Sequence, residues 1–133
     1  MEAIIASGPV IVEKGKLLVN KDENDDFYKL PGGKIKPGES AEECCIREAK
    51  EEINGDIEII KPLNPLVVWK KNNVGESMPI MLLHYKAQLK NRKMILPGKG
   101  IIKIEWLKIE DIRAGKYNVG PNINFLIEKG DIK

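Results

Sequence analysis

A single histidine, His84, and two adjacent cysteines, Cys44 and Cys45, leave this sequence short of material for a disulfide framework or a soft-metal site. Neighbours on a helix point roughly 100° apart, so a bridge between Cys44 and Cys45 would strain the backbone. Reduced thiols in an intracellular protein are the simpler expectation. No nearby histidine suggests a nucleophile, so both are read as packing residues. His84 has no cysteine or histidine companion for a metal and is expected to pack or to line a substrate. Long apolar runs are missing as well, and nothing approaches the roughly 20 apolar residues of a membrane span. Residues 4–12 are apolar, but Gly8-Pro9 interrupts them and no basic leader precedes them, so they do not read as a secretory signal. A cytoplasmic location is expected. Excess charge of one sign is also absent: 22 Lys plus Arg face 20 Asp plus Glu. That balance argues against a protein whose main task is coating nucleic acid. With 42% hydrophobic and 32% charged residues, and no repeat or linker, the 133 residues read as one globular domain spanning 1–133.

What is present is organised around Gly32 to Gly55, read GGKIKPGESAEECCIREAKEEING. Strands are expected before it at 2–7 and 9–13, with Gly8-Pro9 as a break, then at 16–19 and 27–30. Ser40-Ala41-Glu42-Glu43 is a capping box that opens a helix. Ile46, Ala49 and Ile53 recur at helical spacing as its buried face, and Asn54-Gly55 ends it. Further strands are expected at 57–60, 66–69, 78–89 and 101–107, with a helical turn at 109–112 and a short helix at 121–129. Strands on both sides of an early helix indicate an α+β fold, one curved mixed sheet between helices.

Glu48, Glu51 and Glu52 lie at i, i+3 and i+4, so they share one side of that helix. Two readings compete. Glutamate is a good helix former, and such a cluster can be an ordinary solvated face. Like charges at this spacing, however, cost roughly 0.2–0.5 kcal/mol per pair, and a divalent cation would relieve them. Carboxylate oxygens suit Mg²⁺ or Mn²⁺ rather than a soft metal. Upstream, Pro31-Gly32-Gly33 lets backbone groups approach a ligand closely, a plausible seat for a diphosphate.

Gly33, five residues, Glu39, seven residues, then Arg47-Glu48-Ala49-Lys50-Glu51-Glu52-Ile53 closely resembles the Nudix box of the Nudix (MutT-like) hydrolases. Two positions depart from that pattern: Asn54 stands where the family has glycine, and Gly55 where it has an aliphatic residue. Ala49 is a small residue for its aliphatic slot. The resemblance implies a Nudix-type α/β/α sandwich that hydrolyses a nucleoside diphosphate linked to another moiety, X. It implies that Glu48, Glu51 and Glu52, helped by the Gly33 carbonyl, hold Mg²⁺. It further implies that Arg47 pairs with Glu39 and that Glu51 or Glu52 acts as base; some members recruit a loop residue, for which Glu105 and Glu110 are candidates. The substrate expected first is a nucleoside triphosphate, such as an oxidised purine, and next an ADP-ribose-like sugar diphosphate. Rival readings are an RNA 5′-end pyrophosphohydrolase and a non-catalytic nucleotide sensor. Homodimers are common in the family.

Outside the box, Asn122 reads first as a helix cap, but MutT-like enzymes use an asparagine in this region to read the base, so Asn122 or Asn124 is a substrate candidate beside Gly32. Trp69 and Trp106 are expected in the core, although strand-borne aromatics can also stack on a base. Lys70-Lys71 and the lysines and arginine between 90 and 103 read as solvated edges that can steer a polyphosphate.

Overall fold

The computed structural model describes residues 2–133. In chain order the elements are β1 (Ile4–Val10), β2 (Val12–Glu13), β3 (Lys16–Asp22), β4 (Gly33–Lys34), α1 (Ala41–Ile53), β5 (Ile57–Pro62), β6 (Leu66–Lys71), β7 (Ser77–Leu89), β8 (Ile101–Lys108), α2 (Ile109–Arg113) and α3 (Pro121–Glu128). The strands form two ladders rather than one continuous sheet. In the first, β4, β1 and β7 lie side by side, and β5 and β6 both pair with β7. β1 runs parallel to β7, from Ile4 opposite Ile80 to Val10 opposite Lys86, while the other pairs are antiparallel. The second ladder is β2-β3-β8, all antiparallel. Ile11 is the joint between them, because the chain passes there from β1 to β2 and its carbonyl accepts from the Leu18 amide.

β3 explains the layering. Leu17 and Val19 enter one core with Leu107, Ile109, Ile123 and Leu126. Leu18 enters the other with Ile11, Cys45, Ala49, Ile53 and Ala87. Alternation along a strand sends successive side chains to opposite faces, so β3 has α1 on one side and α3 on the other. Among the described residues no helix is long and apolar enough to cross a membrane.

The helix start is as expected: Ser40 accepts from the Glu43 amide, and Glu43 returns a bond to the Ser40 amide. Its buried face is different. Cys44, Cys45, Glu48, Ala49 and Ile53 point inward, whereas Ile46 is 47% exposed. The i, i+4 row through Cys45, Ala49 and Ile53 faces the sheet, and Ile46 lies one residue off it. Trp69 is not a core residue either, at 62% exposed. β6 lies at an edge with β7 beside it, so its outward residues, Val67 and Trp69, stay open. Trp106 is half-buried against the α1 core, with the Arg92 guanidinium 5.4 Å from its ring centre. Residues 27–30 do not form a full strand; Tyr28 and Lys29 make isolated bridges to Val119 and Asn20.

Gly8-Pro9 does not break β1, which continues to Val10. β4 flanks β1 at Ala6 and Ser7, and beyond them β7 is its ladder partner, so the donor missing from Pro9 can face the open side. Gly8 instead allows a close crossing, since a Cβ there would stand 1.9 Å from the Pro31 carbonyl oxygen. Gly8→Ala must therefore push the Pro31–Gly32 turn away from β1. We expect a loss of about 2–3 kcal/mol, at the upper end of overpacking costs, seen as a lower urea midpoint with an unchanged slope. A wild-type midpoint would contradict this crossing.

Candidate active site

The Pro31–Gly33 turn and α1 face each other across a short gap. Glu48, 7% exposed, lies so near the turn that a Cβ on Gly33 would stand 2.5 Å from its Oε1. Glycine is required there by space. Cys44 Sγ donates to the Gly33 carbonyl at 3.4 Å, which fastens the same turn to the helix.

Arg47 collects the charges. Its Nε donates to Glu39 Oε2 at 2.6 Å and its Nη2 to Glu39 Oε1 at 2.9 Å, a bidentate fork. Nη1 donates to Glu48 at 2.8 Å and to Glu51 at 3.1 Å, and Nη2 also reaches the Lys34 carbonyl. The Arg47 bonds, with the Lys36 amide, hold the Glu39 carboxyl down at about 2. The carboxylates on this helix are thus partly relieved by an arginine already present.

Glu52 takes a separate position. Its Oε1 accepts from Asn20 Nδ2 at 2.9 Å and from the Gly32 amide at 3.2 Å. Burial pushes its carboxyl up to about 7 against the pull of those two donors, with the Glu48 charge adding to the rise. Asn20 is fully buried, and among the described residues its Oδ1 has no hydrogen-bond partner. Sequence reasoning missed Asn20. A polar residue inside the apolar run of β3 was the available signal.

The cysteines are buried and free, and burial raises both thiols, Cys45 to about 12. Glu105 and Glu110 lie away from this cluster. Glu105 pairs across from Val19, whose side faces the α3 core, and Glu110 is exposed at the start of α2.

A recess of about 330 Å³ opens beside the turn, with Ala6, Val68, Ile80 and Leu82 as apolar walls. Phe27, Gly32, His84 and Asn122 also line it. Asn122 is therefore the asparagine that meets this recess. It follows the α3 N-cap, Gly120, at one residue's remove and makes no side-chain cap bond. Its Nδ2 instead donates to His84 Nε2 at 3.1 Å, and His84 Nδ1 faces the Gly8 carbonyl at 3.4 Å. That pairing assigns the proton to Nδ1. Burial lowers the His84 ring to about 4.

Among the described residues no three acidic, histidine or cysteine groups already converge as a metal cage. The donor set nevertheless fits a hard divalent cation: Glu48, Glu51 and Glu52 supply oxygens, and Gly33 lets the backbone come against Glu48 with no Cβ between. The box departures are accommodated. Asn54 adopts the left-handed conformation, with φ 52° and ψ 33°, and ends the helix. Gly55 is packed where a Cβ would come within 3.0 Å of Leu89.

A mixed ladder and an antiparallel one, packed with helices and carrying an acidic helix against a glycine turn, make an α+β fold. The chain belongs to the Nudix family: the NUDIX domain matches residues 1–125. Members are pyrophosphohydrolases and generally use divalent metal ions. The chain is 31% identical over 112 residues, 84% of its length, to the m7GpppN-mRNA hydrolase of Saccharomyces cerevisiae. It spans 11% of that longer protein. It is 42% identical over 60 residues to a Bacillus subtilis protein provisionally named 8-oxo-dGTP diphosphatase YtkD, covering 45% of this chain and 37% of that one. A NUDIX hydrolase structure from Nitrosomonas europaea superposes with a TM-score of 0.73 at 20% identity, covering 96% of this chain and 87% of that one.

The buried neutral His84 gives a pH prediction. A histidine held at about 4 when folded, against 6.5 when free, leaves stability intact above pH 6.5 and erodes it as pH falls toward 4. At 1.36 kcal/mol per unit the loss is about 3 kcal/mol. The Glu52 carboxyl, raised to about 7, acts in the opposite sense over the same range, so the effect is read as a difference: the urea midpoint of His84→Gln should gain on the wild type as pH falls from 7 to 4. An unchanged slope in the variant would refute the assignment.

Proposed function

We propose that this chain hydrolyses the phosphoric anhydride of a purine nucleoside diphosphate linked to X, with a nucleoside triphosphate, oxidised purines included, as the simplest substrate. One observation carries the reading: an apolar recess ending in Asn122 and His84 opens beside the Gly32-Gly33 turn and the glutamates of α1. The recess suits a flat base, and an asparagine carboxamide, donor and acceptor both, suits its polar edge. The likeness to the Bacillus subtilis protein favours the oxidised-purine member of that class.

Mg²⁺ would be held by Glu48, Glu51 and Glu52 with the Gly33 carbonyl, Mn²⁺ being an alternative; it supplies charge neutralisation at the phosphoryl oxygens and a more acidic water. The protein's own groups do the rest. Arg47 ties the Glu39 loop to α1 and so fixes where Glu48 and Glu51 point. Asn20 and the Gly32 amide hold Glu52 by one oxygen, leaving the other free. Glu51 or Glu52 takes a proton from the attacking water. The water oxygen bonds to phosphorus, the bridging P–O bond breaks, and the bridging oxygen leaves with its electron pair on one phosphate. A second reading, cleavage at an RNA 5′ end, is favoured by the likeness to the yeast mRNA hydrolase.

Hydrolysis assays with Mg²⁺ over nucleoside triphosphates, their 8-oxo-purine forms, ADP-ribose and 5′-triphosphorylated RNA test the class. Glu51→Gln and Glu52→Gln should each lower kcat, by roughly 10²–10⁴-fold for the general base, without altering the unfolding midpoint by much. Wild-type rates in both variants would remove the glutamates from the chemistry. Asn20→Ala should free Glu52 and lower kcat at least tenfold, while Asn20→Asp, lacking the donor, should not rescue it. Asn122→Ala should raise KM for purine substrates with little change in kcat.

A further inference from the structure

The hydrolysis leaves His84 without a task, although it is a polar ring buried within β7. The register sets it opposite Gly8 across the parallel pair of β1 and β7, and its Nδ1 lies 3.4 Å from the Gly8 carbonyl oxygen. A carbonyl oxygen accepts and never donates, so Nδ1 carries the proton and the neutral ring offers a lone pair at Nε2. Whatever stands at Nε2 must then donate. Asn122 does so through Nδ2 at 3.1 Å. A carboxamide is nearly symmetric in shape, and either end could otherwise face the ring. Here the tautomer decides, with the nitrogen turned to His84 and the oxygen away from it. That oxygen, Oδ1, comes out beside Gly120, where a Cβ would stand 2.9 Å from it. The missing side chain leaves the acceptor uncovered. Among the described residues no donor is bonded to Oδ1, yet it is not a buried orphan, so it stays accessible. Gly120 and Asn122 line the 330 Å³ recess together with Phe27.

We propose that His84 determines specificity through Asn122: it fixes the carboxamide one way round, so that the recess selects a purine edge that sets an N–H or amino hydrogen at Oδ1 over one that sets a lone pair there. His84 is a positioning residue, since Asn122 and not the ring meets the base. The inference rests on the nucleotide reading above for its ligand and adds which hydrogen-bonding face that ligand must show. A carboxamide free to turn would serve either edge, offering Oδ1 to a donor and Nδ2 to an acceptor. With its nitrogen held by Nε2, turning breaks that bond and sets Oδ1 against a ring lone pair. Two acceptors would then face each other in a buried place. Discrimination therefore comes from the penalty on the wrong edge. Burial lowers the ring to about 4, so at pH 7 it is neutral and the lone pair persists.

The test uses nucleotides that differ by one donor: adenosine against purine riboside, guanosine against inosine, and 8-oxo-guanosine against guanosine. Each is used as the triphosphate for kcat/KM and as the monophosphate for Kd. In at least one pair the member with the donor should be preferred by about tenfold or more, through KM with kcat little changed. That pair names the edge. His84→Phe fills similar space without a lone pair and should bring the ratio to within about threefold. His84→Gln keeps an acceptor for Asn122 Nδ2 and should preserve most of it. Gly120 has φ −61° and ψ 149°, which alanine adopts without strain. Gly120→Ala should therefore keep a near wild-type urea midpoint while it displaces Oδ1 and shrinks the ratio. Equal values within all three pairs would overturn the proposal. So would a ratio that His84→Phe or Gly120→Ala leaves intact, or one that His84→Gln loses as fully as His84→Phe. Ring nitrogen NMR shifts of His84 read the tautomer directly, and a protonated Nε2 at pH 7 would overturn the proposal even if hydrolysis is seen. Discrimination in Kd with no hydrolysis of any triphosphate would sink the enzyme reading and leave the role of His84 standing.

Discussion

The guanidinium of Arg47 is the contact on which the rest of the site depends. It accepts no hydrogen bond and is always charged, so every group it touches must be an acceptor. Its fork grips both oxygens of Glu39, and its outer nitrogens reach Glu48, Glu51 and the Lys34 carbonyl. One planar group therefore fixes the loop before α1, the strand before that loop and two carboxylates of the helix. A lysine could offset charge there but could not reproduce the geometry, because its ammonium makes no bidentate fork. The like-charge problem of Glu48, Glu51 and Glu52 is consequently solved twice. Arg47 takes two of the carboxylates. The third, Glu52, turns inward to Asn20 and the Gly32 amide.

That inward turn links the two ladders of strands. Asn20 belongs to β3, whose pairing is with β2 and β8, while Gly32 precedes β4 on the edge of the other ladder. Glu52 Oε1 is the point where a donor from each meets. A buried carboxylate is costly unless donors surround it, and here its donors come from parts of the chain 32 and 20 residues away. The site is thus assembled by long-range folding, not by the helix alone. Gly8 and Gly33 serve the same end by removing bulk. One lets the turn cross β1, and the other lets it touch Glu48.

The capping box, the helix and its end, the strand periods and the Glu39–Arg47 spacing were all readable from the sequence, because each depends on residues close together in the chain. Four features were not. The inward face of α1 depends on helix phase relative to the sheet, and a shift of one position exchanged Ile46 for Cys45. Trp69 read as core because it is large and strand-borne, yet exposure at an edge is set by what lies beside the strand. Asn20 and His84 acquire their roles from partners 32 and 38 residues distant, Glu52 and Asn122. A single sequence shows the residues but not the pairings. The division into two ladders at Ile11 was hidden for a related reason, since the obvious break, Gly8-Pro9, sits where β1 keeps β7 as its neighbour.

The two departures from the family pattern show how such a local motif is held by distant structure. A helix end with glycine would adopt the left-handed conformation at no steric cost. Asn54 adopts it with a side chain that has a use: its Nδ2 donates to the Leu96 carbonyl, and its own carbonyl accepts from Asn91 Nδ2. The 91–98 loop is further tied by Leu96 and Gly98 amides to the Ile53 and Glu52 carbonyls, which the helix end would otherwise leave open. Next to it, Gly55 sits against Leu89 and Ile53, where the carbons of those side chains occupy the space an aliphatic residue would claim. The missing bulk at one position is supplied by β7, and the missing glycine at the other is replaced by an amide that recruits a loop. Both substitutions follow the last residue of α1, Ile53, so the helix that carries the carboxylates keeps its length while the packing beyond its end is rebuilt.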